Sequence, residues 1–181
     1  MSSRTVGPTI ATVPGHSPAP FVIGVDGPSG AGKTLLAGRL AAELDDVTVV
    51  HVEDLYPGWS GLDAVVPRLV AWVLQPSDEG RPPRWRRWDW AAGRYAEWHE
   101  LPARSVLVVE GVGAGARACA PYLDLLVWVE APEQVRYLNA MHRDGVLYRP
   151  HWRRWAAAER LHFDREGTRA RADVVVSTSG S

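Results

Sequence analysis

The chain has 181 residues, 46% of them hydrophobic and 23% charged, with a net charge of −1. That length and composition fit one globular domain with a real core, and the near-neutral balance excludes an electrostatic case for nucleic acid or an anionic membrane as partner. A single cysteine, Cys119, excludes an intramolecular disulfide and a cysteine-type zinc site, which fits a cytoplasmic protein, and no apolar run approaches the roughly 20 residues that span a bilayer.

Taken in chain order, residues 1–20 are rich in Pro, Ser, Thr and Gly and lack the apolar stretch of a secretory signal, so they predict an extended or disordered leader. "FVIGVD" (21–26) predicts a buried first strand, and "KTLLAGRLAAELDD" an amphipathic helix with Leu35, Leu36, Leu40 and Leu44 at helical spacing. "VTVVHVED" (47–54) predicts a second strand. "LDAVVPRLVAWVL" (62–74) predicts a helix that Pro67 kinks or delays, and "QPSDEGRPP" a loop. "RWRRWDWAAGRYAEWHELP" alternates large and charged residues on both sides of "AAG", which predicts a β-hairpin with cross-strand tryptophan pairs. "SVLVVEG" (105–111) predicts a third, doubly covered strand, "AGARACAPYL" a short helix, and "DLLVWVEA" (124–131) a fourth strand. "PEQVRYLNAMHRDG" predicts a helix opened by Pro132 and ended at Gly145, "VLYRP" a loop, "HWRRWAAAERLHFDREG" a helix and "ADVVVST" a fifth strand. The alternation implies one α/β domain over 21–181 with a five-stranded, mainly parallel sheet, interrupted by a small β-hairpin insert at about 75–101. Such an insert falls at the C-terminal edge of the strands, where ligands bind in these folds.

Lys33 is the only lysine; every other position of that charge is arginine. It lies in Gly27-Pro28-Ser29-Gly30-Ala31-Gly32-Lys33-Thr34, which matches the phosphate-binding G-x-x-x-x-G-K-T pattern between a predicted strand and a predicted helix. The pattern has a mechanism. Loop N–H groups and the helix N-terminus face a phosphate, the glycines turn without a Cβ, and the slim ammonium of Lys33 enters where a planar guanidinium does not fit. Thr34 is placed to ligate Mg²⁺, and Glu110, closing the third strand, is placed to meet that ion or its water. The pattern points to a nucleoside triphosphate and by itself does not define the reaction.

Three segments in this order, "GPSGAGKT", "HVEDLY" and "VLVVEG", together with the weaker "RRWDW", resemble the group of P-loop kinases that includes uridine kinase, nicotinamide riboside kinase and phosphoribulokinase, over roughly 21–176. The likeness is greatest to a bacterial uridine kinase-like subgroup. The resemblance implies a three-layer P-loop fold that binds ATP and Mg²⁺ and passes a phosphoryl group to a hydroxyl. In that family strand 2 ends in a pair of residues of which the first acid is the proposed catalytic base. Here it falls on Glu53, one carbon longer than the usual aspartate, and the neighbouring Asp54 is the alternative base or a metal-side carboxylate. The chemistry needs one of them within reach of the acceptor hydroxyl, and adjacent strand residues face opposite ways, so only one can serve. The resemblance places Asp89 and Tyr56 at the acceptor. Trp88 and Trp90 either stack on a ring or pack the insert, the ordinary role of hairpin aromatics. A lid over about 145–154 follows. Arg143, Arg149, Arg153 and Arg154 surround it, with Arg143 in "HRDG" the best match to a catalytic lid arginine and Arg149 toward the substrate. The histidines show no metal-ligand spacing and read as structural.

The expected function is thus an ATP-dependent small-molecule kinase whose acceptor is nucleoside-like or another hydroxylated metabolite. The alternatives are a nucleotide-dependent switch or ATPase, or a nucleotide-binding pseudokinase, acting through a protein partner. ATP loss that depends on an added metabolite separates the first from the others. The acceptor's identity, ATP against GTP, and oligomeric state, a homodimer included, stay open.

Overall fold

Along the first strand the apolar side chains divide by parity. Val22 faces one core, while Ile23 and Val25 face the other, as period-2 strand geometry requires of a strand covered on both sides. The computed structural model describes residues 18–178, so the leader expected over 1–20 lies outside the described residues for 1–17. Five parallel strands, β1 (Phe21–Asp26), β2 (Val47–His51), β5 (Val106–Glu110), β6 (Leu125–Glu130) and β7 (Val174–Ser177), form a sheet in the order β2-β5-β1-β6-β7. Helix α1 (Lys33–Glu43) covers one face through Ala37, Leu36 and Leu40 against Val25, Val108 and Val127. The other face carries α2 (Leu62–Leu69) and, further on, α5 (Trp152–Glu166), over Val50, Leu107 and Val109. This is the three-layer α/β arrangement expected, and the antiparallel hairpin of β3 (Arg84–Asp89) and β4 (Arg94–Glu100) is the expected insert.

Several boundaries differ for identifiable reasons. β2 stops at His51, and Val52–Leu55 turns into a 3₁₀ helix instead of continuing the strand to Asp54. The helix containing Pro67 does not end at Leu74. A π-helical turn, Val70–Leu74, follows the proline's missing donor, and helix α3 (Gln75–Asp78) continues through what reads as loop. The segment 114–123 is a run of turns with only a 3₁₀ helix at Ala120–Tyr122, because the N–H groups of Gly113 and Gly115 are drawn to the Asp26 carboxylate. Helix α4 (Glu133–Tyr148) is broken at Gly145 as expected (φ 54°, ψ −123°), but 146–148 resume helically rather than as loop. A one-turn helix, α6 (Thr168–Arg171), precedes β7 and was not legible in the sequence.

Candidate active site

The order β2-β5-β1 places β5 beside the first strand, with β6 on its other side, so the chain leaves β1 at a switch point of the sheet. The loop 27–34 begins there. Its backbone is held where a side chain would not fit: a Cβ on Gly27 (φ +140°) would stand 2.0 Å from the Val129 carbonyl oxygen, and one on Gly30 (φ +77°) 2.1 Å from that of Arg136. α4 holds the loop through Asn139 Nδ2, which donates to the Gly30 carbonyl at 2.9 Å, and Thr178 donates to that of Ala31 at 2.8 Å.

Over this loop opens a cleft of about 870 Å³. Ser29, Gly30, Gly32, Lys33 and Thr34 line it, whereas Gly27, Pro28 and Ala31 form the loop's rear. Lys33 is buried, and its ammonium donates to the carbonyls of Gly27 at 2.8 Å and Pro28 at 3.1 Å. Burial pushes its pKa down, against the opposing charges of Glu159, Glu110 and Asp26. A buried cation next to a left-handed glycine cradle has the charge and the backbone room that a phosphate would need, so the residues present fit a nucleoside triphosphate.

Glu110 sits at the end of β5, in register with His51 of β2 and Val25 of β1. Its Oε1 accepts from the Thr34 hydroxyl at 3.2 Å and lies 2.5 Å from His51 Nδ1. Burial alone would raise the Glu110 pKa, but the His51 hydrogen bond and the Lys33 charge outweigh it and leave the carboxyl below its ordinary value. The same hydrogen bond holds His51 above the ordinary histidine range. Among the described residues no three His, Cys, Asp or Glu side chains converge as a cage for a metal. One hydroxyl with one ionised carboxylate still suits Mg²⁺, which takes one or two carboxylates and completes its shell with phosphates and water.

The 3₁₀ turn after β2 separates the two acids. Glu53 lines the cleft and Asp54 does not. The opposite-face argument for a strand therefore gives way to a rotation of about 120° per residue. Burial raises the Asp54 pKa, against the opposing charges of His51, His99 and Arg87. Facing Glu53 across the cleft is Arg143 of α4, with Nη2 3.8 Å from Oε2. Tyr56 lines the wall, but its hydroxyl is committed to the Val112 carbonyl at 2.5 Å. Asp89 caps the hairpin turn, accepting from the N–H groups of Ala91 and Ala92 at 3.0 and 2.9 Å, and it is Trp90 and Ala91 that reach the cleft. Arg149 is exposed and lies off the cleft wall.

The far wall is aromatic. Trp59 stacks on His151 (centroids 4.3 Å, planes 12° apart) and meets Trp90 at 4.9 Å and Tyr148 at 5.1 Å. Sequence reasoning missed Trp59, His151, Trp155, Asn139, His51 and Glu159. Only His51 carried a usable signal: it ends its strand as Glu110 ends β5, and parallel register then aligns them.

No family model and no curated protein sequence matches the chain. Solved structures do. A possible uridine kinase from Bacillus stearothermophilus aligns over 88% of this chain and 90% of its own, at 22% identity and a TM-score of 0.65. A candidate fructose transport system kinase from Silicibacter sp. TM1040 aligns over 92% of each chain at 17% identity and a TM-score of 0.52, and TT1252 from Thermus thermophilus over 90% of each at 18% and 0.50. At these identities the likeness shows a shared three-layer α/β fold.

Proposed function

We propose that this protein is an ATP-dependent small-molecule kinase acting on a hydroxyl of a nucleoside-like or other hydroxylated metabolite. The observation that carries the reading is the pairing of two unlike ends in one cleft. A phosphate cradle with Lys33 forms one end, and an aromatic wall roomy enough for a second substrate forms the other, with Glu53 and Arg143 between them. A switch or simple ATPase has no use for the second end.

In this reading the acceptor hydroxyl lies beside Glu53. Its proton passes to the Glu53 carboxylate as its oxygen bonds to the γ-phosphorus, and the bond from that phosphorus to the ADP oxygen breaks. Lys33 and Arg143 face the oxygens on which charge spreads, so their contribution grows toward the transition state. Mg²⁺, when bound through Thr34 and the Glu110 side, supplies further neutralisation of phosphate charge. Glu53 lines the cleft and Asp54 does not, which supports Glu53 as the base. Asp89 and Arg149 stand outside the wall and would reach the acceptor only through closure of the hairpin and of 145–154, hinged at Gly145. Amide exchange over 145–154 should slow with a nonhydrolysable ATP analogue and acceptor together; unchanged exchange removes the lid.

The function is tested by incubating the protein with ATP, Mg²⁺ and a panel of hydroxylated metabolites, read by mass spectrometry. One phosphorylated product is expected. ATP loss indifferent to every metabolite would support the switch or ATPase instead.

A further inference from the structure

Glu159, in the second turn of α5, is 2% exposed, and a carboxylate this deep needs a reason. It stands beside an anion site, where its charge opposes the ligand. Its Oε1 gathers three donors: the N–H of Ser29 at 3.0 Å, the Ser29 hydroxyl at 2.5 Å and the Trp155 indole Nε1 at 2.6 Å. The same indole nitrogen lies 3.0 Å from the Ser29 hydroxyl, which closes a three-residue ring. Ser29 is the third residue of the phosphate loop and belongs to the cleft lining. Trp155 lines the cleft as well and sets its ring edge-on to Tyr56 at 5.1 Å and to Trp59 at 6.1 Å. One buried carboxylate therefore joins the phosphate loop to the aromatic wall, across about 130 residues of sequence. Neither the phosphate motif nor the base and lid residues use it.

We propose that Glu159 is a positioning residue of the phosphate loop. Through Ser29 it fixes the peptide that enters the cradle, so that the following N–H groups converge on a phosphate. Through Trp155 it makes that shape depend on the packing of the acceptor wall. What the carboxylate supplies is acceptor geometry: an oxygen in that place serves, and its charge is what the neighbouring Lys33 balances. A glutamine keeps the oxygen; an alanine leaves two Ser29 donors and the indole N–H without it.

The inference rests on the nucleotide-binding reading, and the experiment separates the two. Binding of a nonhydrolysable ATP analogue with Mg²⁺ is measured by calorimetry for the wild type, Lys33→Ala, Glu159→Gln, Glu159→Ala and Trp155→Phe. The Ser29 amide and Trp155 indole resonances are followed by NMR. Glu159→Ala should lose about tenfold or more in affinity, the size of a lost hydrogen bond to a charged group, while Glu159→Gln stays within about threefold. Trp155→Phe, which keeps a ring but removes the indole donor, should weaken binding by about threefold and move the Ser29 amide. If Glu159→Ala does not fold, Glu159→Gln and Trp155→Phe carry the test. Wild-type protein that fails to bind the analogue overturns the nucleotide reading itself. Wild-type binding that Lys33→Ala abolishes, but that Glu159→Ala or Trp155→Phe leaves intact with the Ser29 amide unmoved, overturns the role of Glu159 alone. An affinity loss equal in Glu159→Gln and Glu159→Ala also overturns it, because then charge and not the acceptor oxygen matters.

Discussion

Two glycines with left-handed backbone show how differently the ends of the cleft are built. At Gly27, in the phosphate loop, a Cβ would stand 2.0 Å from a backbone oxygen of β6, which cannot move without breaking the sheet. At Gly93, in the hairpin turn beside the proposed acceptor end, φ is +63°, yet a Cβ would meet nothing within 4 Å. At Gly27 and Gly30 the proposed phosphate end is thus specified by backbone against backbone, and any side chain at those two positions is excluded. The proposed acceptor end is specified by side chains, Trp59, Trp90, Tyr148 and His151, packed on one another. A phosphate is the same in every nucleotide, whereas an acceptor differs from one enzyme to another. A rigid end of this kind can be shared across a fold, and the side-chain end is where, on the proposed function, a substrate would be chosen.

The comparison breaks most directly at Lys33. Lys33→Arg keeps the charge but puts a wide guanidinium into a buried nest, and turnover should fall by at least about 10³-fold, the upper range for loss of one preorganised donor. Turnover within twofold of wild type would mean that this loop is not the phosphate site. Next comes the pair of glycines themselves. Gly27→Ala should cost about 3 kcal/mol of stability and Gly93→Ala about 1 kcal/mol or less, measured by denaturant unfolding. Equal costs would erase the distinction drawn between the two ends.

Glu53→Gln should lower kcat by about 10²-fold, the usual share of general base catalysis, while affinity for an ATP analogue stays unchanged. Asp54→Asn, off the cleft wall, should be milder. Two equally mild amide variants would remove both acids from the chemistry.

A further effect, on stability alone, concerns Asp26, which ends β1 in the core and accepts from the N–H groups of Gly27, Gly113 and Gly115. Burial raises its pKa from 3.8 to about 6 in spite of those donors. A folded-state pKa above the unfolded one means that the folded chain holds the proton longer. The associated stability is full below pH 3.8 and is lost as pH rises through about 6. Stability of the wild type relative to Asp26→Asn should therefore fall by about 2 kcal/mol between pH 4 and pH 7. A flat difference would show that the three amide donors fully compensate burial.

What could be read from the sequence follows the same division. The glycine loop 27–34 between strand and helix was legible because it is a local, contiguous solution written in eight residues. Glu110 was legible because a charge closing an apolar strand stands out, and the hairpin because its alternation is strict. His51 passed for structural, since its partner lies 59 residues away and only strand register brings them together. Glu159 was hidden more completely: on a helix rich in charge, one inward carboxylate looks like its solvated neighbours. The run to Asp54 read as strand because a 3₁₀ turn leaves no signature in four residues, and that error left Glu53 and Asp54 undivided. The aromatic wall draws on loop, hairpin and two helices, so no stretch of sequence displays it.

The claim that one cleft holds a donor end and an acceptor end is tested most directly by the fate of the γ-phosphoryl group. ATP radiolabelled at that group is incubated with the protein, Mg²⁺ and the pooled hydroxylated metabolites, and the label is partitioned between organic product and inorganic phosphate. The account predicts label in an organic phosphate with the wild type, lost in Lys33→Arg and in Glu53→Gln. Label appearing only as inorganic phosphate, at a rate indifferent to the metabolites and to Glu53→Gln, would contradict it.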